Sequence, residues 1–120
     1  MIILKPSRAK TVLRKLGHTL NDRDQINGLD DELKEIHGIK LIAYWYHCSG
    51  YDGSGWAIYL CTNGLWAATN LGHCSCYGPT EAISANEARW SSIEKLLSDH
   101  SEQCQKEFAP LIELIAQVTK

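Results

Sequence analysis

The side chains with the most reactive chemistry lie in one run, His73-Cys74-Ser75-Cys76. Thiolate and imidazole are preferred zinc ligands, and a thiol beside an imidazole is also a pairing used in nucleophilic catalysis. Free cysteines are equally common as small buried residues that only fill a core. The run therefore supports three interpretations: a zinc site, a reactive cysteine, or a structural segment.

A zinc site needs four ligands, and the run itself provides three. Cys74 and Cys76 share one side of an extended chain and His73 takes the other, so the backbone would have to bend around the ion. The candidate ligands are His73, Cys74, Cys76 and Cys48, with His47 or Cys61 as alternatives to Cys48. The C-x-C spacing is tighter than that of zinc knuckles, so we expect no cofactor, with zinc as the one candidate.

A catalytic interpretation makes Cys74 the nucleophile, His73 its base and Asp52 the residue that orients the base. Glycines at positions 50, 53 and 55 would leave backbone N–H groups open to a developing negative charge. Neighbouring residues on a strand point to opposite faces, which weakens the pairing of Cys74 with His73. We therefore expect a binding protein more than an enzyme.

A β-hairpin centred on Asn63-Gly64 would position these residues. Asn-Gly between apolar runs is typical of a two-residue type I′ turn. That turn predicts these opposed pairs: Cys61 with Trp66, Tyr59 with Ala68, Ile58 with Thr69, and Trp56 with Leu71. It also brings residues 50–55 beside residues 73–78 at the open end of the hairpin.

A strand over residues 39–48 precedes the hairpin and is apolar or aromatic on both faces, which is typical of a central strand covered on both sides. In the hairpin strands, 56–62 and 65–71, alternation predicts one core face and one outer face. The core face holds Trp56, Ile58, Leu60, Ala67 and Leu71. The outer face holds Ala57, Tyr59 and Trp66.

Helices are predicted on either side of these strands. Ser7 would cap a helix over residues 8–16, and Asp30 or Asp31 a short one ending near residue 37. The capping-box spelling Ser84-Ala85-Asn86-Glu87 would start a third helix, and Ser101 a fourth with a kink or restart at Pro110. We predict a single α+β domain over residues 1–120, with a small antiparallel sheet of three or more strands (residues 39–72) packed by N- and C-terminal helices.

Bulk properties narrow the functional classes. A formal net charge of −2 argues against nucleic-acid binding and against attraction to an anionic membrane surface. No apolar run reaches the length that spans a bilayer, and the N-terminus lacks the pattern of a signal peptide. Five cysteines cannot all pair within one chain, which favours reduced thiols. We expect a cytoplasmic protein.

Five basic residues and no acidic residue lie among the first fifteen positions. They are Lys5, Arg8, Lys10, Arg14 and Lys15, and they leave an apolar stripe on the opposite face of the predicted first helix. The pattern fits either a docking patch for phosphate or an acidic partner, or an ordinary solvated helix face.

Four Trp and five Tyr residues in a small domain suggest an aromatic contact surface, since interfaces favour both residue types. We predict a protein partner or a homodimer, contacted through Tyr44 or Trp45 on the central strand and through a set of binding residues. That set is Tyr51, Asp52, Tyr59, Trp66 and Tyr77. Burial of the aromatic rings in the core is the alternative.

The run Gly72-His73-Cys74-Ser75-Cys76-Tyr77-Gly78 after a hairpin resembles a group of small uncharacterised proteins from bacteriophages and other mobile elements. The resemblance covers residues 51–78, and the chain departs from the group after Pro79. It implies a small accessory protein of a mobile genome and supplies no reaction.

Overall fold

A computed structural model describes residues 1–20, 24–26, 28–49, 52–72 and 78–119. The fold is α+β: a five-stranded mixed sheet packed by helices on both faces. The strands are β1 (Ile2–Leu4), β2 (Gln25–Ile26), β3 (Ile39–Ser49), β4 (Asp52–Cys61) and β5 (Trp66–Asn70). The helices are α1 (Ala9–Lys15), α2 (Asp30–Lys34), α3 (Ile93–Ser98) and α4 (Glu102–Val118). No helix in these ranges is long and apolar enough to cross a bilayer.

Strand β3 is the centre of the sheet, as its two apolar faces predict. It pairs antiparallel with β4 along most of its length, from Ile39 with Cys61 to Ser49 with Asp52. Two short strands pair with the other edge of β3. Strand β1 pairs with it in parallel, and β2 pairs antiparallel with His47 and Cys48. The antiparallel unit β3-β4-β5 confirms the expected strands, and the parallel β1 makes the sheet mixed.

The hairpin between β4 and β5 forms at the predicted place with a different turn. The Cys61 N–H donates to the Leu65 carbonyl at 2.9 Å, which encloses a three-residue loop. Gly64 has φ of 85°, the left-handed conformation expected at the last position of such a loop. One extra loop residue shifts the register, so Ile58 opposes Ala68 and Tyr59 opposes Ala67.

That shift makes the predicted faces of β5 wrong. Moving a strand by one residue sends each side chain to the opposite face of the sheet. Trp66 therefore lies on the face of Ile58, whereas Ala67 and Leu71 lie on the face of Tyr59.

Two core layers result, one on each face of the sheet. The tyrosine face carries Tyr44, Tyr46 and Tyr59, and is covered by α2 and by the segment around Ile83. The tryptophan face carries Trp45, Trp56 and Trp66, and is covered by α1, α3 and α4. In the described part of the chain, both faces of the sheet are therefore covered.

The helix starts differ from several predictions. Helix α1 makes its first hydrogen bond from the Val12 N–H to the Arg8 carbonyl, one residue later than a Ser7 cap requires. Helix α2 begins at Asp30 with Leu29 at the cap position. Ser101 does cap α4. The helix continues through Pro110 to Val118, so the predicted restart at Pro110 is wrong.

The predicted helix from Ser84 is also wrong. Its capping-box residues form a single 3₁₀ turn over Ala85–Glu87, in which the Ser84 hydroxyl accepts from the Asn86 N–H. Backbone hydrogen bonds between Trp66 and Trp90 then draw the chain alongside the start of β5. Because this pairing needs extended backbone, helix α3 begins only after Ser92, which caps it.

Candidate functional site

The predicted thiol–imidazole site lies outside the described residues. This applies to His73, Cys74 and Cys76, to the predicted binding residues Tyr51 and Tyr77, and to the side chain of Asp52. The zinc and catalytic interpretations of this run stay predictions.

The strands that border the predicted site converge at one end of the sheet. Cys48 pairs with Gly53, and a Cβ placed on Gly72 would lie 3.7 Å from the Gly53 carbonyl oxygen. Cys48, Gly53 and Gly72 therefore share one end of the sheet, whereas residues 50–51 and 73–77 lie outside the described part of the chain.

The described cysteines form no disulfide and lie in three different environments. Cys61 is buried on the tyrosine face, and burial raises the pKa of its thiol, which disfavours the reactive thiolate. Cys48 and Cys104 are half-buried on opposite sides of the molecule's sheet. In the described ranges, no three His, Cys, Asp or Glu side chains are grouped to hold a metal ion.

Most of the expected aromatic contact residues that the structure describes are not exposed. Tyr44, Trp45 and Tyr59 are all fully buried, so the prediction that they contact a partner is wrong. Trp66 is half-buried and packs against the core of the tryptophan face. The physical reason is that helices cover both faces of the sheet, and the rings fill the two layers between.

A pair of imidazoles lies at the edge of the tryptophan face. His47 Nε2 is 3.1 Å from His18 Nδ1, and His18 Nε2 is 3.7 Å from a Glu107 carboxylate oxygen. The His18 ring also stands edge-on to Trp45, with ring centroids 4.9 Å apart. These contacts join the loop after α1, the central strand and α4.

One nitrogen of each ring is left over from the His18–His47 contact. His18 Nε2 lies beyond hydrogen-bonding distance of Glu107, and His18 Nε2 and His47 Nδ1 are both buried without a hydrogen-bond partner among the described residues. The Glu107 carboxylate accepts from the Trp56 indole at 2.7 Å, and its backbone carbonyl accepts from Trp45 at 2.8 Å.

The charged form of His47 is disfavoured. Burial lowers the pKa of His47, and the adjacent His18 lowers it further, against a smaller opposing effect of Asp24. Two imidazolium ions at this separation would repel each other strongly. The arrangement fastens helix α4 and the end of α1 to the sheet through polar contacts.

A groove runs along the surface between α1 and α4, and we call it the α1–α4 groove. It consists of two adjoining cavities of about 290 and 280 Å³. Val12, Pro110 and Glu113 line both. The remaining lining residues are Pro6, Ser7, Arg8, Leu114 and Gln117 at one end, and Lys15, Leu16 and Ala109 at the other.

The floor of the groove is apolar and one rim is basic. Val12, Leu16, Pro110 and Leu114 are half-buried there. Arg8 and Lys15 are exposed on the α1 side of the groove, and α1 contains no acidic residue. In the described part of the chain neither of these two cations forms an ion pair.

Sequence reasoning found the basic side of this groove and missed the groove itself. The cluster of cations before residue 16 was visible in the sequence, but its position beside Pro110 and Leu114 depends on how α4 packs. The His18–His47 contact was also missed, because 29 positions separate the two residues.

Comparison of the chain with models of known protein families, with curated proteins and with solved structures gives no match.

Proposed function

We propose that this is a small cytoplasmic binding protein of a mobile genetic element that acts by contacting another protein through the α1–α4 groove. The observation that carries the proposal is the combination of an apolar floor with a basic rim whose charge is unpaired in the described chain. Apolar surface supplies binding free energy, and complementary charge supplies specificity and a faster association rate. The mobile-element origin rests on the resemblance over residues 51–78.

A protein partner suits this groove better than a nucleic acid or a small ligand. Nucleic-acid sites are dominated by cationic contacts to phosphates, whereas here Glu113 and apolar side chains line the surface. Each cavity is slightly smaller than the range of about 300–1,000 Å³ for small-molecule pockets. Side chains projecting from another chain would fit both cavities at once.

The test is site-specific photo-crosslinking in the native host. A photoreactive residue replaces Glu113 in the groove, and a matched variant carries it at Glu94, an exposed acid on α3. We expect one protein to be crosslinked from position 113 and not from position 94, and Val12→Glu to abolish that product. Identical products from both positions, or none from either, would contradict the proposal.

A second copy of this chain is the competing occupant of the α1–α4 groove, and self-association is measured in a separate experiment. Light scattering over a range of concentrations reports whether the chain dimerises. A dimer that Val12→Glu dissociates would assign the groove to a second copy in place of a different protein.

The thiol–imidazole site is the second candidate function, centred on His73-Cys74-Ser75-Cys76. It is favoured by the convergence of Cys48, Gly53 and Gly72 at one end of the sheet. Protein purified without chelators should then contain near-stoichiometric zinc that a Cys76→Ser variant loses and a Cys104→Ser variant keeps. For a catalytic version, Cys74 should alkylate much faster than the other thiols at neutral pH, and uniform slow labelling would exclude it.

A further inference from the structure

We infer that the segment bound in the α1–α4 groove is an acidic amphipathic helix of the partner protein. This inference rests on the proposed function and names the chemistry of the partner. It draws on three properties of the groove: the spacing of its apolar residues, the direction of its two walls, and the sign of its rim.

The spacing of the floor matches a helix. Val12 and Leu16 are four residues apart on α1, and Pro110 and Leu114 are four residues apart on α4. Four residues advance a helix by about 6 Å, which is the separation of apolar side chains at positions i and i+4 of an amphipathic helix. A helical ligand can therefore place successive apolar side chains into the two adjoining cavities.

The walls run in opposite directions. The start of α1, at Arg8, shares a cavity with Gln117 near the end of α4, whereas Lys15 shares the other cavity with Ala109. The floor thus continues from one cavity to the next along both helices, with Val12 and Pro110 in the middle. A third helix lying in such a groove buries its apolar stripe against both walls.

The rim determines the charge of the ligand. Arg8 and Lys15 line the groove on the α1 side, against Glu113 as the acidic lining residue. Acidic side chains flanking the apolar stripe of the ligand would face this rim. A basic or neutral helix of the same apolar spacing would lack that complementarity.

The experiment selects ligands from a random library of helix-length peptides displayed on a surface, using the full-length protein. Peptides that also bind the Leu114→Glu variant are removed. We expect the retained peptides to be enriched in Asp and Glu and to carry apolar residues four positions apart. A synthetic copy should bind at least about tenfold more weakly to the double variant Arg8→Glu, Lys15→Glu.

Lys34→Glu provides the matched control, because Lys34 is an exposed cation on α2, away from the groove. It should leave the affinity of the peptide unchanged, and circular dichroism establishes that each variant is folded. Retained peptides without an acidic excess would overturn the inference. So would groove-dependent binding of single-stranded oligothymidylate with equal or higher affinity than the peptides.

The two experiments separate the inference from the proposed function. If no groove-dependent peptide is retained while position 113 still crosslinks one protein, the acidic helix is wrong and the docking surface stands. If crosslinking from position 113 also fails, both are wrong.

Discussion

The two faces of the sheet are built from different aromatic residues and are fastened in different ways. On the tyrosine face, two hydroxyls reach different elements: Tyr44 donates to Asp30 at the start of α2 at 2.6 Å, and Tyr59 bonds to Thr69 on β5 and to Ser84. On the tryptophan face, the indoles of Trp45 and Trp56 both donate to one residue of α4, Glu107. The first face is held at several independent points, whereas the second depends on how α4 is seated.

Tyr44 on one face and His47 on the other respond to pH in opposite directions. Burial raises the pKa of Tyr44, as does its hydrogen bond to Asp30, so the folded chain keeps a proton that the unfolded chain loses near pH 10. The stability that Tyr44 contributes is therefore present below pH 10 and is lost as the pH rises further. The lowered pKa of His47 places the corresponding loss on the acid side. Tyr44 thus limits stability at high pH and His47 at low pH.

Trp45→Ala should have the largest effect, because it empties the centre of the tryptophan face. The side chain is fully buried and its indole is hydrogen-bonded to α4. We expect a loss of about 3–5 kcal/mol in the free energy of unfolding, measured by urea titration. Val118→Ala, at a position 47% exposed, is the control and should change it by less than about 0.5 kcal/mol. A loss for Trp45→Ala as small as that of the control would contradict the packing described.

Gly55→Ala should affect both faces at once. A Cβ at Gly55 would overlap the Trp45 carbonyl oxygen and lie 3.0 Å from the Tyr46 Cα, and backbone cannot move aside as a flexible side chain can. We expect a loss of about 1–3 kcal/mol by the same urea titration. Gly28→Ala is the matched control, since nothing lies within 4 Å of its added Cβ. Equal stability of the two variants would show that β3 and β4 are not as close as described.

Tyr59→Phe tests one of the separate attachments of the tyrosine face. The hydroxyl accepts from the Ser84 N–H at 3.2 Å and lies 3.1 Å from the Thr69 hydroxyl, so its removal leaves these groups without their partner. We expect a loss of about 1–2 kcal/mol in thermal or urea unfolding. Because Tyr44 is attached elsewhere, Tyr44→Phe and Tyr59→Phe should be additive within about 0.5 kcal/mol. Strong coupling between them would remove the distinction between the faces.

His47→Gln should produce the smallest change in the free energy of unfolding, and the change should be visible only in its dependence on pH. Its folded pKa is lowered, so between that value and about 6.5 the unfolded chain binds a proton that the folded chain does not. Stability should fall as the pH is lowered below about 6.5 and should be unaffected by this residue above it. Urea titrations from pH 8 to 5 should show a flatter dependence in His47→Gln. An unchanged profile would mean that the imidazole pair does not limit acid stability.

Local sequence patterns predicted strands and helices correctly where the cause lay in residues close together in the sequence. The alternation along β3 correctly indicated two buried faces, and Ser101 correctly indicated the start of α4. Gly17 directly after α1 has φ of 94°, the left-handed conformation with which glycine commonly ends a helix. These features depend on side-chain spacing and on backbone preferences within a few residues.

The sequence could not specify the register of β4 and β5, for a physical reason. Asn63-Gly64 fits a two-residue turn and equally fits the last two positions of a three-residue loop. The choice was made by the ladder between β4 and β5, which places Trp66 on the tryptophan face. A similar limit applied at Ser84, whose capping pattern was overridden by pairing of Trp90 with the edge of β5.

The sequence by itself determined that the chain is α+β, with a twice-covered central strand, a hairpin at Asn63-Gly64 and a basic first helix. The tertiary structure alone decided that the aromatic rings are buried, that His18 meets His47, and that α1 and α4 enclose a groove. Spacing within a segment fixes which side chains share a face of that segment. Contact between distant segments depends on packing from both sides, and no local preference specifies it.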